Sequence, residues 1–167
     1  MPLTICLTIE CDAVPLDEAR LRAAVLRVFA DARIPSGQVG VAVLSDPAIR
    51  QLNKQYLNHD YATDAISFVL ERGADYVEGE IAVSAETAQR EAAHYGWPAS
   101  DELLLYVAHG ALHLVGGDDT TPAGAAEMRR REREVLATLG LTPPWDAPST
   151  QTTTSAGKKR RQEGFAR

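Results

Sequence analysis

The pattern of hydrophobic spacing along this chain divides near Ser84, and that division constrains the fold more than any other feature. Before Ser84, short alternating or continuous apolar runs are interleaved with helical stretches; after it, every apolar run has the period of a helix. Residues 2–10 alternate, with Leu3, Ile5, Leu7 and Ile9 on one face and Thr4, Cys6, Thr8 and Glu10 on the other, so they are predicted to form a strand. Residues 16–31 carry a helical stripe of Leu21, Val25, Val28 and Phe29, and 38–44 is a buried strand. Asp46 followed by Pro47 marks a helix start with the aspartate as oxygen cap, and Ile49, Leu52, Tyr56 and Leu57 supply the apolar face. Strands at 65–70 and 80–84 follow, joined by a polar loop containing Gly73 and Gly79 and near enough to pair as a hairpin. Three helices close the pattern: 85–95 ending at Gly96, 100–115 ending at Gly116, and 122–139 ending at Gly140. This order specifies an α+β domain over residues 1–147, in which a mixed four-stranded sheet packs against helices.

Beyond Trp145 the sequence turns to Pro, Ser, Thr and Gly with a basic cluster, and residues 148–167 are expected to be a disordered basic tail. The tail carries +4 of charge, which leaves −10 on residues 1–147. So acidic a body is a poor general attractor of phosphate backbones, and any nucleic-acid function has to rest on a specific site. Cys6 and Cys11, five residues apart in and beside an alternating run, point to opposite faces and read as separate reduced thiols. With no signal-like N-terminus and no apolar run near the ~20 residues of a membrane helix, the expected location is the cytoplasm, without membrane contact.

The chemistry concentrates in His109-Gly-Ala-Leu-His113-Leu-Val-Gly116-Gly117-Asp118-Asp119. Histidines four apart on a helix lie about 6 Å apart along its axis on one face, within reach of one ion at about 2.0–2.1 Å. The glycine pair ends the helix and lets the chain reverse, returning an oxygen ligand from Asp118 or Asp119 to the same ion. Two histidines, a carboxylate and an open position make the layout of a catalytic zinc. A bare histidine pair on a helix is more often just polar surface. This one follows the most apolar run of the chain, Leu103–Ala108, where unpaired imidazoles are costly, and acidic residues follow it at once. His59 and His94 lack such partners and read as surface residues. Gly110 stands where zinc proteases of the H-E-x-x-H type place their general base, which argues against that class.

The same segment resembles the motif H-G-x-L-H-L-x-G-Y-D-H of the YbeY family. Leu52-Asn53-x-x-Tyr56 and Thr63-Asp64-Ala65-Ile66-Ser67-Phe68 are similar to the family's L-N-x-x-Y-R and T-D-V-L-S-F segments. Gly79-Glu80-Ile81 is similar to its G-D-I strand, and residues 128–139 to its closing helix, so the likeness runs in order over residues 40–140. It implies a metal-dependent, single-strand-specific endoribonuclease acting in late 16S rRNA 3′-end maturation and ribosome quality control. The substrate implied is single-stranded small-subunit rRNA, with ribosomal proteins as possible partners. It also implies one zinc ion per chain on His109, His113 and, at the position of the family's third histidine, Asp119. Gly117 replaces the motif tyrosine, and Leu57 replaces an arginine whose charge Lys54 or Arg50 is placed to supply. Lys54, Asp64 and Asp118 are the candidate catalytic groups, and Thr63 and Ser67 the candidate substrate contacts. A ribosome-associated metal-binding protein with weak or no nuclease activity, or a zinc hydrolase with another substrate, are the alternative readings.

Overall fold

Strand β1 (Leu3–Ile9) half-buries Leu3, Ile5 and Leu7 and exposes Thr4, Cys6 and Thr8, which is the alternation its sequence requires. The computed structural model that supplies this architecture describes residues 2–146; the expectation for residues 148–167 lies outside the described residues. Helix α1 (Glu18–Asp31) begins where the Arg20 N–H donates to the Asp17 carboxylate and buries Leu21, Ala24, Val25, Val28 and Phe29. Its crossover places β2 (Ser36–Leu44) parallel to β1, with Leu3 opposite Gly37 and Ile9 opposite Val43.

Helix α2 (Asp46–Leu57) departs from the expected cap. Ser45, not Asp46, accepts the Ala48 N–H, at 3.3 Å. The Asp46 carboxylate instead takes hydrogen bonds from the Ser84 hydroxyl (2.6 Å), the Thr87 hydroxyl (2.7 Å) and the Arg90 guanidinium (2.6 Å). It therefore ties the start of α2 to the junction of β4 and α3.

Strands β3 (Ala65–Arg72) and β4 (Tyr76–Ser84) pair as an antiparallel hairpin longer than the sequence suggests, with only residues 73–75 between them. Gly79 is therefore a strand residue and not a loop residue. A Cβ there would lie 2.6 Å from the Leu114 side chain and 2.8 Å from the Phe68 carbonyl, so its smallness serves close packing and not a turn. The sheet order is β1-β2-β4-β3, with β1, β2 and β4 parallel and β3 antiparallel at one edge.

Helices α3 (Ala85–Tyr95), α4 (Ala99–Leu114) and α5 (Pro122–Thr138) follow. Every residue of α4 from Asp101 to Leu114 is buried, because α4 packs on β3 and β4 and is flanked by α1, α3 and α5. This is why its sequence is apolar on all sides and not on one stripe. At about 1.5–3 kcal/mol for each large side chain removed from water, Leu103, Leu105, Tyr106 and Leu112 make α4 a large contributor to core stability. Helix α2 covers the opposite face of the sheet through a smaller cluster of Leu44, Ile49, Ile66 and Ala82.

Candidate metal centre

His109 and His113 lie in the last two turns of α4, where the helix emerges from the core beside β3 and β4, and are 2% and 9% exposed. Between them the helix presses so closely on the sheet that a Cβ on Gly110 would stand 2.7 Å from Ile81 Cγ2. The residue after the first histidine thus faces packed sheet and has no room for a catalytic side chain.

The helix stops at Val115. Gly116 takes φ +105°, which glycine alone adopts without strain, and the Gly117 N–H donates back to the Leu112 carbonyl at 2.8 Å. The reversal carries Asp119 over the end of α4. Its carboxylate oxygens lie 3.4 Å from His109 Nε2 and 3.6 Å from His113 Nε2, and the two Nε2 atoms are 3.1 Å apart. A tetrahedral ion with ligands at about 2.0–2.1 Å has ligand separations of about 3.3–3.4 Å, close to the spacing of the two imidazoles and of each from its nearer carboxylate oxygen.

The proton inventory points the same way. His109 Nδ1 is hydrogen-bonded to the Glu132 carboxylate, and His113 Nδ1 to the Gly117 carbonyl at 3.0 Å; both partners are acceptors, so each ring carries a proton on Nδ1. In the neutral rings, Nε2 then offers a lone pair. Two lone pairs and a carboxylate within 3.6 Å of one another repel unless a cation sits among them. The residues present therefore suit a divalent metal ion. Where the rings are instead protonated, burial pushes the Asp119 carboxyl up, but hydrogen bonds and charge from the His109 and His113 imidazolium groups outweigh it and hold the group well below the usual carboxylate range.

Glu132 is the residue at the candidate site that sequence reasoning missed. It is fully buried on α5 and grips the far nitrogen of His109, the arrangement that orients metal-bound histidines in general. A signal existed: Ala125, Met128, Glu132, Val135 and Leu136 are the buried face of α5, so a carboxylate stands in an apolar stripe.

The remaining candidates are dispersed. Asp118 is exposed and its Oδ1 accepts the Thr120 N–H and hydroxyl at 2.9 and 2.7 Å, folding the turn. Asp64 is buried, and its Oδ1 accepts the Ala65 N–H at 2.8 Å and the Thr63 hydroxyl at 3.4 Å. Lys54 and Arg50 both reach Asp60, at 3.9 and 2.9 Å. Ser67 lines a cleft of about 440 Å³ beside the cluster, together with Leu57, Phe68, Val69, Arg72 and His113. Gly117 also lines it, and a Cβ there would collide with Met128 Sδ and the Leu112 carbonyl, so this backbone has no place for the motif tyrosine. His59 and His94 are exposed.

The family model for Endoribonuclease YbeY matches residues 8–140. An endoribonuclease YbeY of Rhodopirellula baltica is 46% identical over 110 residues, covering 65% of this chain and 57% of that protein's length. One from Chloroherpeton thalassium is 36% identical over 124 residues, covering 74% of this chain and 87% of that protein. A Thermotoga maritima protein solved in solution superposes with a TM-score of 0.58 at 24% identity, over 89% of this chain and 99% of its own, and shares the fold. The match to the family model spans every element from the end of β1 to α5, and with it the cluster of His109, His113 and Asp119: this chain belongs to the YbeY endoribonuclease family.

Proposed function

We propose that this chain is a zinc-dependent endoribonuclease that cleaves single-stranded RNA in small-subunit rRNA maturation. The observation that carries the reading is the convergence of His109 Nε2, His113 Nε2 and the two Asp119 carboxylate oxygens, with contacts of 3.1–3.6 Å, beside an open cleft. Family membership supports RNA as substrate, and two imidazoles with one carboxylate suit zinc. When bound, such an ion supplies Lewis acidity toward a phosphoryl oxygen and toward water. The protein's own part is to hold the donors rigid. Glu132 fixes the ring of His109 and the Gly117 carbonyl that of His113, so neither imidazole reorients when substrate enters. The cleft wall of Leu57, Phe68 and Val69 gives a partly apolar seat, and the Ser67 hydroxyl stands in the same wall. The basic residues Lys158–Arg161 add long-range attraction for RNA that the acidic body lacks.

The test is metal analysis with single-turnover cleavage of single-stranded and duplex RNA by the full chain and by His113→Ala. The expected result is about one zinc per chain and cleavage of the single strand only, with both lost in the variant. Cleavage that persists in a metal-stripped protein would overturn the reading.

A further inference from the structure

The geometry points to Arg72 as the residue that binds a substrate phosphate in the cleft beside the metal-ligand cluster, and a β-bulge at Leu70 is what aims it there. This deepens the proposed RNA-cleaving function and rests on it. Residues directly opposite in an antiparallel pair share a face. Ser67 pairs with Ile81 and Val69 with Gly79, on the face of the sheet that carries α4. Strict alternation would put Glu71 next on that face. The register shifts between Val69 and Glu71, however, so that Glu71 pairs with Glu78 and Arg72 with the fully buried Val77. One extra residue therefore exchanges a carboxylate for a guanidinium on the metal-ligand side.

A second observation agrees independently: Arg72 lines the same cleft as Ser67 and His113, and among the described residues no other lysine or arginine does. Among the described residues it has no carboxylate partner within 4.0 Å, whereas Arg50 and Lys54 are both engaged with Asp60. An exposed, unpaired guanidinium at the end of an edge strand adds nothing to the packing of the core. Its fork of donors matches two oxygens of a phosphodiester. Leu57 and Phe68, which line the same cleft from the α2 side of the sheet, offer the apolar surface against which an unpaired base can lie; in a duplex the face of the base is buried by stacking.

The experiment is a fluorescence-anisotropy titration of the full, zinc-loaded chain with a short fluorescein-labelled single-stranded RNA across a range of KCl concentrations, with probe integrity verified on a gel. Arg72→Gln is expected to melt as the unsubstituted chain does, to bind about tenfold more weakly, and to show a log–log salt slope shallower by about 0.7. Arg72→Lys should retain the slope, since it keeps the charge. Glu71→Gln, on the other face, should leave the slope unchanged. If Arg72→Gln binds with the affinity and slope of the unsubstituted chain, or Glu71→Gln shifts the slope as much as Arg72→Gln does, the assignment is overturned. If the unsubstituted chain neither binds nor cleaves single-stranded RNA, the functional reading fails with it, a result distinct from the failure of Arg72 alone.

Discussion

Glu132 is fully buried with its carboxylate hydrogen-bonded to His109 Nδ1, and since a buried carboxylate is costly unless it is held by such partners, the pair fixes the orientation of that imidazole. Its replacement should therefore act on the metal. Glu132→Gln is expected to weaken zinc binding about tenfold and Glu132→Ala nearer a hundredfold, read by competition with a chromogenic chelator. Zinc affinity unchanged in Glu132→Gln would reduce this residue to a packing role. The neighbouring aspartates make a sharper comparison. Asp119 points at both histidines while Asp118 closes its own turn on Thr120, so Asp119→Ala should strip zinc and Asp119→His should keep it. Asp118→Ala should cost no more than a partner outside the ligand set; the opposite ranking in a zinc titration would reverse the assignment. That His109, His113 and Asp119 come together was legible in the sequence because helical spacing and a glycine exit fix them locally. Glu132 was not, since it lies 23 residues from His109 on a helix crowded with glutamates and arginines, where only its place in the buried stripe sets it apart.

Elements were readable wherever periodicity alone decides them, and less so where partners far along the chain compete for one side chain. Helix α3 runs from Ala85 to Tyr95 as its spacing demands, whereas Asp46 is drawn off its expected capping role by Ser84, Thr87 and Arg90. The ends of β3 and β4 were similarly hidden: Gly79 looks like a turn residue until Leu114 is seen lying against it, and the bulge at Leu70 has no sequence signature of its own. The Asp46 junction carries a pH signature. Burial raises its carboxyl pKa, but the three hydrogen bonds and the Arg90 charge outweigh this and hold it below its ordinary value of 3.8. A carboxylate depressed in the folded state stabilises fully above its unfolded pKa, and that stabilisation is lost as the pH falls through the folded value. Asp46→Asn should thus lower stability by about 1–3 kcal/mol at pH 7 in urea unfolding, with the deficit shrinking below about pH 4. A deficit of equal size at pH 7 and pH 3 would show that the charge of Asp46 contributes nothing.

At the scale of the molecule, the cluster of His109, His113 and Asp119 is a junction as much as a candidate site. His109 and His113 belong to the buried central helix, Asp119 to the turn that leaves it, and Glu132 to the last long helix, so an ion held by the first three also braces the fourth through His109. Anything that binds the folded chain and not the unfolded one stabilises it by mass action, by about 2.7 kcal/mol when free ligand is a hundred times its dissociation constant. For a domain of this length each kcal/mol moves the melting midpoint by roughly 2–4 °C, which predicts an upward shift of about 5–10 °C on saturation with zinc. The shift should vanish in Asp119→Ala, and shrink without vanishing in Glu132→Gln. It should also fade on acidification, because histidines and a carboxylate bind a metal ion only when deprotonated. Differential scanning calorimetry with and without zinc, at neutral and acidic pH, checks all three. A shift of the same size in Asp119→Ala would mean that zinc stabilises the fold from somewhere other than this cluster, and the link drawn here between α4, its exit turn and α5 would fail.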